Sequence, residues 1–124
     1  MSRARAATVA IMGMRILYGA GLVAAPTRLG RRWLGPASAT APTQVPLQGL
    51  GTREMVLHTG VIWAALRGTA LRPWLAGSIA GDLTDIAATV ARRDGLPDGS
   101  AAATAAVGGG SAVLTGLLLA AVDR

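Results

Sequence analysis

Residues 101–122 run without a single charged side chain. A helix that crosses the hydrocarbon core of a bilayer needs about 20 residues, within a range of about 17–25. This run fits that range, and so do three further apolar segments at residues 7–25, 50–66 and 74–91. Each of those three is interrupted by Arg, Asp or Glu, so none is an unambiguous span alone. Together they predict an all-α chain, a four-helix transmembrane bundle forming a single domain over residues 1–124.

Composition agrees. Charged residues are 15% of the chain and mean hydropathy is +0.47, against about 25% charged in an average soluble domain. Such hydrophobicity excludes intrinsic disorder. With no cysteine, disulfide scaffolds, thiol catalysis and cysteine metal sites are also excluded. The net charge of +6 raises the possibility of nucleic acid or an anionic membrane surface. All twelve basic residues are Arg, spread as ones and twos between apolar stretches, without a helix-turn-helix, zinc-finger or RNP-type pattern. No nucleic-acid partner is expected.

The connections divide the chain. Residues 26–46 are rich in Pro, Ser, Thr and Arg and read as a long loop; residues 67–73 and 92–100 carry turn chemistry. Within the first, residues 27–34 (TRLGRRWL) suit a short interfacial helix. Trp63 and Trp74 fall at one membrane surface and Trp33 at the other, as an aromatic belt requires. The N-terminal segment reads as a retained span, because Arg15 breaks the apolar run that a signal sequence would need. Orientation is balanced. Arg3, Arg5, Arg67, Arg72 and Arg124 fall on one side, with Arg28, Arg31, Arg32, Arg92 and Arg93 on the other. The basic N-terminus favours cytoplasmic termini in a multi-pass cell-membrane protein.

Ionisable groups inside spans are costly and usually paired. Here they are Arg15, Arg53, Glu54, His58, Asp82 and Asp85. At about 1.5 Å per residue, Arg15, His58 and Asp82 lie near mid-span, with Arg53, Glu54 and Asp85 displaced toward the long loop. Depth therefore pairs Arg15 with Asp82 and Arg53 with Asp85. Glu54 and His58 share a helix face, as do Asp82 and Asp85. Gly77-x-x-x-Gly81, continuing to Asp85, predicts a closely packed helix face. Two Arg against three acids leave one negative charge, which a proton on His58 or on a carboxyl would neutralise. Two uses follow from this set: a polar network that fixes helix registry, or a proton-linked or ligand-binding site. A lone His without Cys does not make a metal or haem site, so neither a metal nor a cofactor is expected. Ser78 and Ser111 lack a nucleophile elbow, and Gly108-Gly-Gly110 lacks the Lys of a phosphate loop.

The elements Arg15-Ile-Leu-Tyr-Gly-Ala-Gly21, Ala25-Pro26, Leu50-Gly-Thr-Arg-Glu-Met55, Ala80-Gly-Asp-Leu-Thr-Asp85 and Leu96-Pro97 resemble those of small actinobacterial four-span membrane proteins of DoxX-like type. The resemblance covers most of the chain through short motifs, of which Gly-x-Arg-Glu and Asp-x-x-Asp are the more specific. It implies a four-helix membrane bundle and no particular substrate. The association of DoxX-like proteins with quinone or thiol redox systems implies a redox membrane component, and the absence of Cys counts against a direct thiol role. The chain is thus expected to be a structural or accessory membrane subunit, with lipid and another copy or membrane protein as partners. A proton-coupled transport component, a quinone-linked component and a soluble helical bundle remain as alternatives.

Overall fold

Every apolar segment is one helix in the computed structural model, which describes residues 1–122. The helices are α1 (Arg3–Ala24), α2 (Pro26–Leu34), α3 (Ala41–Arg67), α4 (Arg72–Ala91) and α5 (Ser100–Ala121), with short 3-10 turns at Gly35–Ala39 and Arg93–Gly95. No strand occurs among the described residues. Arg124, which entered the charge tally, lies outside them.

One expectation needs correction. Residues 26–46 are not one long loop: the short helix expected at 27–34 is α2, and the rest forms a 3-10 turn and the opening of α3. Their prolines caused the misreading. α2, the 3-10 turn at Gly35–Ala39 and α3 each carry Pro within their first two positions. There the missing N–H is one that a helix start leaves unbonded anyway, and the fixed φ suits helix entry. In this stretch Pro26, Pro36 and Pro42 open helices, while Pro46 lies inside α3.

The helices associate as two closely packed pairs, α1 with α3 and α4 with α5, with thinner contact between the pairs. Backbone against backbone sets the first pair. A Cβ on Gly51 would lie 2.5 Å from the Gly19 carbonyl oxygen, and one on Gly19 2.6 Å from that of Gly51. Only glycine permits this approach. At one end the pairs are joined by an apolar core of Met12, Val61, Ala64, Leu71, Leu75, Leu118 and Val122. Trp74 adds to that end by laying its ring on Gly60, where a Cβ would meet ring carbon at 2.5 Å. At the other end α2 ties the pairs together. Trp33 Nε1 donates to Thr89 Oγ1 at 2.9 Å, and Ser100 Oγ donates to the Trp33 carbonyl at 2.6 Å. Trp63 and Trp74 therefore sit at one end of the helices and Trp33 at the other.

The C-terminus of α3 shows what Arg5 does. Gly68 closes the helix in the left-handed region (φ 69°), and the last carbonyls of a helix lack intrahelical donors. Arg5 supplies some: Nη1 donates to Ala64 O and Ala65 O at 3.3 Å, and Nη2 to Thr69 O at 3.0 Å. A buried cation at the negative end of a helix dipole is favourable as well. Arg5 is thus a capping residue, although the charge tally treated it as an ordinary terminal cation. Arg5→Met, which keeps the aliphatic stem, should cost about 2 kcal/mol, read as a lowered Tm.

Candidate functional site

Arg15 lies midway along α1 and faces the gap between the helix pairs. Its Nη1 donates to Asp82 Oδ2 at 2.9 Å and to Ser111 Oγ at 2.8 Å. Nη2 donates to Asp82 Oδ1 at 2.7 Å and to Glu54 Oε2 at 3.3 Å, and Nε also reaches Glu54 Oε2 at 3.3 Å. A guanidinium has five N–H donors, and this arrangement uses all of them. One side chain from α1 thereby grips α3, α4 and α5 together. The two-point contact with Asp82 is the strong, geometrically specific form of the pair, and Asp82 is only 5% exposed. The depth match of Arg15 with Asp82 is met.

The match of Arg53 with Asp85 is not. Arg53 is exposed on α3 and forms no ion pair among the described residues. Adjacent helical residues point about 100° apart; with Glu54 turned toward Arg15, Arg53 is carried to the outside. Depth along a helix says nothing of azimuth. Asp85 is half-buried one turn beyond Asp82 and borders the cavity described below. It makes no hydrogen bond or ion pair among the described residues.

His58 is completely buried, 0% exposed. Its Nδ1 lies 2.7 Å from the Glu54 carbonyl oxygen and 3.3 Å from Glu54 Oε2, and its Nε2 lies 3.0 Å from Ser78 Oγ. A carbonyl only accepts, so Nδ1 carries the proton; in the neutral ring Nε2 then accepts from the Ser78 hydroxyl. The neutral imidazole then has both nitrogens satisfied. Ser78, His58 and Glu54 follow the hydrogen-bond order of a nucleophilic triad. Ser78 is nevertheless only 1% exposed and does not border the cavity, and it lies mid-helix, where amide N–H groups are already used. The arrangement holds α3 to α4; a substrate carbonyl has no approach to it.

Gly77 and Gly81 lie exposed on α4, and a Cβ on either meets nothing within 4 Å. The close helix approach expected there lies instead at Gly19 and Gly51. Sequence reasoning also passed over Ser111 and Ser78 as hydrogen-bond partners. A usable signal existed for Ser78, which stands four residues before Asp82 and so shares its face.

Between α1, α2 and α3 on one side and α4 and α5 on the other opens a cavity of about 530 Å³. Arg15, Glu54, Asp82, Asp85 and Ser111 form one polar patch of its lining, and Ser100 and Thr104 line it as well. Ile11, Met14, Tyr18, Leu50, Val107 and Leu114 supply apolar and aromatic wall, with Arg32 and Trp33 of α2 at the far end. Among the described residues, no group of three or more His, Cys, Asp or Glu side chains is arranged to hold a metal ion.

Fold and site together define an all-helical protein with a buried charge cluster beside an apolar cavity. No family model matches the chain, and no curated protein or solved structure matches it significantly.

Proposed function

We propose that the chain is a four-helix integral membrane bundle, a structural or accessory subunit whose helices are locked by the charge-paired cluster around Arg15. The observation that carries this reading is how its side chains are distributed. Thr8, His58, Ser78, Asp82 and Thr89 are buried and hydrogen-bonded, while Leu17, Val56, Leu66, Leu83, Val113 and Leu117 are exposed. Leu17 is 74% and Val113 66% exposed. Polar groups inside and large apolar groups outside suit lipid as the solvent, where polar side chains must find partners within the protein.

α1 and α5 are long and apolar enough to cross a membrane. α3 and α4 carry more polar residues, and in this reading they span because most of those residues turn inward. Arg53, which faces outward, has a stem long enough to carry its charge toward the α2 end and the head groups. The likeness to DoxX-like four-span proteins belongs to the same proposal and rests on the short motifs around Arg53-Glu54 and Asp82–Asp85.

The cysteine-free chain makes labelling direct. Single cysteines at Leu17, Val56, Leu83 and Val113 test one outward position on each long helix, with Arg93→Cys in the turn as the water-exposed control. In opened membrane fragments a water-soluble maleimide should label the Arg93→Cys protein and leave the other four unlabelled until detergent is added. Equal labelling at all five positions would overturn the spanning reading.

A further inference from the structure

The formal charge in the cavity does not balance. Glu54, Asp82 and Asp85 bring three carboxylates to it, against two cations, Arg15 and Arg32. Arg53, which the sequence count placed in the cluster, is outside. The deficit is therefore one charge. Arg15 has no N–H left for Asp85, because Glu54, Asp82 and Ser111 take all five. Arg32 borders the cavity from α2 and forms no ion pair with Asp85 among the described residues.

The rest of the cavity suits an organic body. Its volume, about 530 Å³, lies within the usual range of small-molecule sites, about 300–1,000 Å³. Apolar side chains dominate its lining, and Tyr18 and Trp33 border it. Aromatic faces attract cations through the ring quadrupole, more strongly where water is excluded.

We propose that this cavity is a binding site for an amphiphilic organic cation, whose apolar body fills the space between the helix pairs and whose cationic centre rests against Asp85. Charge complementarity selects this occupant. An anionic lipid with its phosphate at Arg32 would end its acyl chain against Asp82 and Asp85, which an acyl chain cannot solvate. The proposal stands on the cavity and goes beyond the accessory-subunit reading, so either can fail without the other.

The test uses the full chain purified in a neutral detergent, with tetraphenylphosphonium as the probe and tetraphenylborate as its counterpart of opposite charge. Saturable phosphonium binding is expected, with borate at least about ten-fold weaker. Asp85→Asn should weaken phosphonium binding by about ten-fold. That variant should keep the wild-type Tm, since Asp85 holds no partner that folding depends on. A second variant acts on shape alone. Gly110 borders the cavity, and a Cβ there meets nothing within 4 Å. Gly110→Leu should fold at least as well, given leucine's helix propensity, and bind the phosphonium more weakly. Borate binding as tight as phosphonium binding would overturn the proposal and favour a lipid-type anion. Unchanged affinity in Asp85→Asn, or no saturable binding at all, would overturn it as well; in the last case protons close the charge deficit.

Discussion

Arg15→Met should lower stability by about 3–5 kcal/mol, the largest loss expected from any single substitution in this chain. Removing the guanidinium leaves Asp82, 5% exposed, and the half-buried Glu54 as neighbouring carboxylates without a cation. It also removes the side chain that ties α1 to α3, α4 and α5. A buried pair is expensive to break and much cheaper to replace as a whole. The triple variant Arg15→Met, Glu54→Gln, Asp82→Asn should therefore recover most of the loss. Thermal denaturation in detergent, followed by helical circular dichroism, reads both. A wild-type Tm in Arg15→Met would show that the cluster does not hold the helices together.

Gly51→Leu is the second large effect, a loss of about 3 kcal/mol. The new Cβ would lie 2.5 Å from the Gly19 carbonyl oxygen, 2.9 Å from Leu22 Cβ and 3.0 Å from Val23 Cγ2. The nearest obstacle is backbone, which cannot rotate away, so α1 and α3 must separate. Gly77→Leu is the matched control: with nothing within 4 Å of its Cβ, it should change stability by less than about 0.5 kcal/mol. Tm values of the two variants, measured side by side, check the comparison. Equal effects would place the helix crossing elsewhere.

The contrast between these glycines shows where sequence reasoning reached its limit. Gly77-x-x-x-Gly81 has the spacing of a packing motif, but spacing does not say which face of α4 meets a neighbour. Gly19 and Gly51 belong to different helices, and no local pattern links them. The same loss of azimuth explains Arg53. Matching depth does not set direction, and its neighbour Glu54 takes the inward one. Depth sufficed for Arg15 and Asp82 because both lie near mid-helix and each faces the gap.

The helices themselves were legible from hydrophobic run length, to within a few residues for α1, α4 and α5. α3 begins at Ala41, well before the expected residue 50, because prolines at its start were read as loop. Arg5 escaped notice for a different reason. Capping of the α3 terminus joins residues far apart in sequence, and nothing near Arg5 announces it.

The central claim is that lipid covers the exposed apolar faces while the charges pair inside. Membrane fractionation of the expressed chain tests this most directly, with a high-salt wash, then an alkaline carbonate wash, then detergent. The account predicts that the protein stays in the pellet through both washes and is released only by detergent. Release by the alkaline wash would contradict it, since a chain that leaves the membrane without detergent does not have its outer faces buried in lipid.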